Sequence, residues 1–277
     1  MAEELPVHSE TVGDTGDTVV FLHGLFGQGK NFTQIAKGLR PDFQSLLVDL
    51  PNHGASDWTQ EFSYLEHADA VAEHLRRTVA AEQPVNLVGH SLGGKVAMLL
   101  ALRHPELITR LSVVDISPVA HESMGEFEHL LDSLLDLPLQ EISSRREADE
   151  RLRDPIPEDM VRGFLLQSLV RSEDGFRWRP NLKLLRQSLP KIADFPDDDD
   201  ADVPGTAPAD HPQFDHPVLW VAGAESNYIR DEYAPAMRRL FPRTRLITVK
   251  GAGHWVHAEQ AQVFTEVLRR FLTAESK

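Results

Sequence analysis

Short apolar runs rich in Val, Ile and Leu alternate along the chain with longer segments in which apolar positions recur every three or four residues. Each run gives way to glycine, proline or aspartate, residues that punctuate strands rather than extend them. The runs at 19–22, 44–50, 85–88, 111–116, 218–222 and 245–250 are continuously hydrophobic, which predicts strands buried on both faces of a parallel sheet. The stretch 7–12 alternates instead and predicts an edge strand. Helices are predicted over 31–39, 64–80, 92–103, 232–240 and 259–273, with stop signals at His104-Pro105 and Phe241-Pro242. This alternation implies an α/β fold, a mostly parallel central sheet with helices on both faces.

The rhythm breaks between 119 and 215, where no buried-strand run occurs. Met124, Phe127, Leu130, Leu131, Leu134 and Leu135 fall at spacings that give a helix one apolar face. Pro157, Glu158 and Asp159 read as the first turn of a second helix carrying Met160, Val161, Phe164, Leu165 and Leu169. Asp174-Gly175 predicts a turn before a short strand at 176–179. The expected organisation is therefore a core of residues 1–118 and 216–277, with 119–215 inserted as a helical cap. Within it, 194–215 holds eight acidic residues and no Lys or Arg, broken by Pro196, Pro204, Pro208 and Pro212. That composition predicts an exposed, mobile loop. Its successive aspartates lack the alternating ligand spacing of a calcium loop, so no metal site is expected.

Composition narrows the partners. Of the 277 residues, 28 are Lys or Arg and 43 are Asp or Glu, a formal net charge of −15. Such a charge repels phosphate backbones and anionic lipid, so neither nucleic acid nor a membrane is an expected partner. The absence of cysteine excludes disulfides, thiolate zinc sites and a Cys nucleophile. The start MAEELPVHSE carries acids where a signal peptide needs bases, and the longest apolar run, 96–102, is far short of the ~18 residues that span a bilayer. A cytoplasmic location is expected.

Candidate chemistry gathers at the ends of the predicted strands. The run at 85–88 leads into Gly89-His90-Ser91-Leu92-Gly93 and then an Ala- and Leu-rich helix, the strand–turn–helix context of a nucleophile elbow. Glycine at 89 and 93 keeps side chains out of a turn that presents the Ser91 hydroxyl, and the helix start aims the Leu92 N–H at a developing oxyanion. Leu22-His23-Gly24-Leu25-Phe26-Gly27 follows another strand; its glycines admit the main chain close to Ser91, Leu25 N–H is the second oxyanion donor, and His23 braces the loop. The segment 49–56 reads as a tight structural connection. Lys250-Gly251-Ala252-Gly253-His254-Trp255 places a histidine after a strand, where it can serve Ser91 as general base. His257 lacks a third ligand at metal spacing. Phe26 and Trp255 flank these motifs and are expected to line a substrate pocket, whereas Trp58 and Trp178 fit core or cap packing equally well. For the carboxylate that orients His254, Asp115, Glu225 and Asp231 all qualify by position.

Together these motifs resemble the α/β-hydrolase superfamily, in which the serine precedes the acid and the histidine comes last. Asp49–Ser56 with its Asn-His-Gly core, Val113-Val114-Asp115-Ile116-Ser117-Pro118 and Ala252-Gly253-His254-Trp255-Val256-His257 resemble, more narrowly, bacterial acyl-ester and acyl-thioester esterases. The superfamily's commonest acid slot, in the loop after 218–222, holds Ser226 here. The resemblance implies an α/β-hydrolase fold, Asp115 as the acid and Ser226 as an auxiliary hydrogen-bonding residue near His254. It further implies hydrolysis of a small-molecule acyl ester or acyl-CoA through an acyl-enzyme, without a cofactor. Carbon–carbon bond hydrolases and perhydrolases share the same serine constellation, and a ligand-binding protein that has kept a hydrolase core is the alternative from another class.

Overall fold

In the computed structural model, which describes residues 5–81, 83–121, 124–173, 175–196 and 213–274, the apolar runs become strands of one sheet. The strands are β1 (His8–Val12), β2 (Asp17–Leu22), β3 (Phe43–Asp49), β4 (Val85–His90), β5 (Ile108–Val114), β6 (Leu169–Ser172), β7 (Gly175–Trp178), β8 (Val218–Gly223) and β9 (Thr244–Val249). Seven of them form a sheet in the order β1-β3-β2-β4-β5-β8-β9, while β6 and β7 pair as a separate antiparallel hairpin. Only β1 runs antiparallel within the sheet, against β3.

Helices cover both faces. They are α1 (Thr33–Leu39), α2 (Tyr64–Arg77), α3 (Leu92–Arg103), α4 (Gly125–Leu135), α5 (Arg145–Leu152), α6 (Asp159–Leu166), α7 (Leu182–Gln187), α8 (Leu189–Ala193), α9 (Ala234–Leu240), α10 (Val256–Glu259) and α11 (Ala261–Thr273). Along β2 the pleat sends Val19 and Phe21 into one apolar cluster with residues of α1 and α11, and Val20 and Leu22 into another with residues of α2 and α3. The second cluster continues without a break into Leu130, Leu131 and Leu134 of α4 and Leu185 of α7. The helices between β5 and β8 thus share one core with the sheet.

Several elements differ from the expectations of pattern alone. The run at 245–250 is not buried on both faces: β9 is an edge strand, with Leu246 50% and Ile247 39% exposed. Continuous hydrophobicity cannot distinguish a central strand from an edge, because position in the sheet is a matter of pairing. The second inserted helix ends at Leu166, and Leu169 instead opens β6, whose hairpin with β7 draws the backbone away from the helix. Tyr64–Arg77 stops three residues short of the pattern, at Thr78. Asp174 of the expected turn lies outside the described residues, as does 197–212 of the expected acidic loop. The described ends of that loop are not exposed throughout: Phe195 and Phe214 are buried in the core. Trp178 is buried and its Nε1 donates to the Leu134 carbonyl, whereas Trp58 lies on the surface with its Nε1 on the Arg179 carbonyl.

Candidate active site

Strand order determines which loops meet. β4 lies between β2 and β5, so the turn after β4, carrying Ser91, is flanked by Gly24-Leu25 after β2 and by Asp115 after β5. In open α/β sheets this carboxyl edge is where ligands bind. Ser91 sits at φ 53° and ψ −119° between strand and helix. A Cβ on Gly93 would lie 2.4 Å from the His23 carbonyl oxygen, and one on Gly89 would lie 2.3 Å from that of Gly93, so the turn closes only around glycine. Leu92 is the first residue of α3, where helix N–H groups have no partner within the helix. Leu25 and Leu92 both border the cavity at Ser91.

His254 must reach across a strand, since β8 separates its own strand β9 from β5. Gly223 permits the crossing: a Cβ there would lie 2.0 Å from the Gly253 carbonyl oxygen. The loop is held on three sides. Glu225 N–H donates to the Ala252 carbonyl at 2.9 Å, the Glu259 carboxylate accepts from Gly253 N–H at 2.7 Å, and His90 Nε2 donates to the His254 carbonyl at 2.8 Å. His254 Nε2 then lies 2.9 Å from Ser91 Oγ, and its Nδ1 lies 2.8 Å from Asp115 Oδ2. With Nδ1–H donating to the carboxylate, Nε2 is left to accept from the serine hydroxyl.

Asp115 is fully buried, at φ 49°. Its Oδ1 accepts from Gly223 N–H at 2.9 Å, and its Oδ2 accepts from Ser226 Oγ as well as from His254. A carboxylate removed from water requires such donors. Glu225 and Asp231 are exposed, and the carboxylate that His254 Nδ1 meets is that of Asp115. Of the three acids open to the sequence, Asp115 is the one brought to the histidine, and Ser226 reaches that histidine only through Asp115.

The cavity at Ser91 is small, about 20 Å³, and is walled by Leu25, Tyr64, Leu92, Lys95, Ile116, His121, Met124, Phe127, Ile192 and Tyr228. Phe26 and Trp255 are not in its wall, contrary to the expectation from their place beside the motifs. Phe26 is buried behind Phe127, with ring centroids 6.2 Å apart, and Trp255 packs on the outer side of His254 against Phe164. Neighbouring a motif in sequence leaves open which way a side chain faces.

The surroundings of Ser91 and His254 also contain residues that motif reading passed over. His90 is buried behind His254, and burial, together with His257 and His254, holds it well below the usual histidine range. His121 is pulled down to about 4, chiefly by burial, then by Lys95, His254 and Arg230. The Tyr228 ring lies tilted against that of His254, centroids 4.3 Å apart, and burial with Glu126 and Asp115 pushes its hydroxyl up to about 12. Only Lys95 left a signal in the sequence: it is the one charged residue in a helix otherwise free of polar side chains from Leu92 to Leu102. His23 braces its loop, its Nδ1–H donating to the Gly24 carbonyl and its Nε2 accepting from Leu50 N–H. The Asp49 carboxylate ties Gly29 and Ala55 together through their N–H groups. Among the described residues no group of three or more His, Asp or Glu side chains is placed to hold a metal ion, and no helix is long and apolar enough to cross a membrane.

Residues 17–261 match the family model described as alpha/beta hydrolase fold. A Mus musculus protein, sn-1-specific diacylglycerol lipase ABHD11, is 36% identical over 262 residues, covering 92% of this chain and 80% of its own length. Esterase YbfF of Escherichia coli (strain K12) is 30% identical over 256 residues and covers 92% of each chain. A solved structure described as a marine microorganism esterase superposes with a TM-score of 0.87 at 31% identity, over 96% of this chain and 99% of that one. With that match and these relatives, the chain belongs to the alpha/beta hydrolase fold family and is a serine hydrolase.

Proposed function

We propose that the protein hydrolyses carboxylic esters or acyl thioesters through an acyl-enzyme on Ser91. The observation that carries this reading is the continuous relay of Ser91 Oγ, His254 and a fully buried Asp115 beside one cavity. Ser91 Oγ attacks the acyl carbonyl carbon while His254 Nε2 takes its proton. Asp115 holds the tautomer and stabilises the imidazolium. The N–H groups of Leu25 and Leu92 receive the oxyanion. The leaving alcohol or thiol departs with the proton from His254, and a water activated by the same nitrogen releases the acid and restores Ser91.

The relatives' names, esterase and diacylglycerol lipase, favour an oxygen ester over a thioester, a carbon–carbon bond or perhydrolysis. Residues 119–215 serve in this reading as a cap on the core of 1–118 and 216–277, supported by the contribution of Met124, Phe127 and Ile192 to the cavity wall. A small-molecule substrate, acyl-CoA included, and a cytoplasmic location belong to the same reading, as does the exclusion of nucleic acid and anionic membranes, which rests on the net charge of −15.

A fluorophosphonate probe should label Ser91, and p-nitrophenyl acetate and butyrate should turn over. In Ser91→Ala both labelling and turnover should vanish, with a loss on the order of 10⁵–10⁶ in kcat. Retention of more than about a tenth of the activity in a clean preparation would remove the assignment. A labelled serine without turnover of any acyl ester would favour the ligand-binding alternative.

A further inference from the structure

Lys95 lies on α3 one turn beyond Ser91, and its side chain is 2% exposed. A buried ammonium has three N–H donors to satisfy. Nζ donates to the carbonyls of Ile192 at 3.2 Å, Ala193 at 2.7 Å and Asp194 at 2.5 Å. These lie at the end of α8, where a helix leaves its own carbonyls without partners. Two neighbours grip the same stretch: the Tyr64 hydroxyl donates to the Ile192 carbonyl at 2.8 Å, and His121 N–H donates to that of Ala193 at 3.0 Å.

The stretch so held separates two spaces. On its inner side is the cavity of about 20 Å³ at Ser91, which Ile192 and Lys95 help to wall. On its outer side is a groove of about 460 Å³ bordered by Leu189, Pro190, Ala193 and Asp194. His121 and Met124 border both. The inner space is about that of one water, so an acyl group much longer than acetyl fits only if the stretch yields and the two spaces join.

Resting on the reading of Ser91 as nucleophile, we propose that Lys95 sets the acyl-chain length the enzyme accepts, by holding the backbone of Ile192, Ala193 and Asp194 as the partition between cavity and groove. The ammonium can serve all three carbonyls; a neutral amine has two N–H groups and cannot. Burial brings the Lys95 ammonium down to about 7, with the Asp194 charge opposing. The other titratable groups facing it are Tyr64 from α2, held neutral by burial, His121 after β5, neutral above about 4, and Tyr228 and His254 across the cavity. The hold therefore weakens as pH rises through about 7. A change in the relay of Ser91, His254 and Asp115 affects every substrate alike and cancels in a ratio of two of them.

The test is the ratio of kcat/KM for p-nitrophenyl octanoate to that for p-nitrophenyl acetate, at pH 6 and pH 8.5, in wild type, Lys95→Met and Tyr64→Phe. The wild-type ratio should rise about fivefold or more between the two pH values. In Lys95→Met it should start about tenfold above wild type at pH 6, through a lower KM for octanoate, and lose its pH dependence. Tyr64→Phe removes one oxygen, should raise the ratio about two- to threefold and keep the pH dependence, and carries the test alone if Lys95→Met does not fold. Ratios within about 1.5-fold of wild type in the folded variants at both pH values, or equal losses on both esters, would overturn the proposal. Fluorophosphonate labelling run alongside separates the two levels: a labelled, active wild type with an unmoved ratio refutes only the role of Lys95, while an unlabelled and inactive one refutes the hydrolase reading and this role with it.

Discussion

Asp115 carries a backbone conformation that a β-branched or bulky residue would resist, φ 49°, and it shares this region with Phe26 at 65° and Ser91 at 53°. Such strain of roughly 1–3 kcal/mol per residue persists only where surrounding structure over-determines it. At Asp115 the determining contacts are Gly223 N–H, Ser226 Oγ and the His254 ring. Asp115→Asn keeps the shape but offers His254 an amide, so kcat should fall by about 10³–10⁴ in steady-state assays on p-nitrophenyl butyrate. Glu225→Gln, at an exposed position, should change kcat less than about threefold. Ser226→Ala should fall between, about tenfold, since one of three donors to the carboxylate is lost, a bond worth ~1 kcal/mol or somewhat more to a charged acceptor. If Asp115→Asn lowers only the melting temperature and leaves kcat within about tenfold, the acid must be sought elsewhere.

Among elements, α4 and α6 separate two roles that their apolar faces alone do not. Phe127 of α4 borders the cavity, stacks on Phe26 and meets His254 edge-on at 6.1 Å. Phe164 of α6 is absent from the cavity wall and packs against Trp255 at 6.3 Å. Truncating Phe127 to Ala should therefore raise activity on butyrate and hexanoate esters relative to acetate, while costing about 3–5 kcal/mol of stability for a buried ring. Phe164→Ala should leave the chain-length profile as it is. Parallel profiles for the two variants, measured with thermal unfolding to factor out stability, would count against α4 as the acyl-facing helix. The amphipathic spacing of 124–135 was enough to place a helix there; which ring faces Ser91 follows from how α4 seats on the sheet, information that a spacing of three and four does not contain.

For the whole molecule, the buried histidines set the response to acid. Burial lowers His67 and His257 to about 3, and His53 and His90 also lie well below the usual value. In the unfolded chain each binds a proton near pH 6.5, so the unfolded state gains protons first as pH falls. The stability these groups contribute is present above about 6.5 and is lost as pH falls from there toward 3. Urea unfolding midpoints should drop steeply across that window. His257 stacks on Phe32 at 4.7 Å and its Nδ1 has no hydrogen-bond partner, so His257→Phe should fold and make the dependence shallower by up to one proton, ~1.4 kcal/mol per pH unit. An unchanged slope would mean that His257 is already protonated in the folded protein.

The alternation of strand and helix, the glycine-flanked Ser91 and the histidine after the last strand are all legible in the chain, because each depends on neighbours within about ten residues: side-chain period, turn chemistry and the capping of one helix. The edge position of β9 and the cavity wall built from Tyr64, His121, Ile192 and Tyr228 are not, and the acid stands between: the resemblance singles out Asp115, which position alone leaves level with Glu225 and Asp231. These come from strand order and from segments far apart in sequence, as when the Gly253–His254 loop crosses β8 over a residue with no Cβ to meet the carboxylate at the end of β5. A local pattern records what an element must bury; only the packed molecule determines which other element buries it, because that depends on pairings between surfaces that the linear order leaves apart.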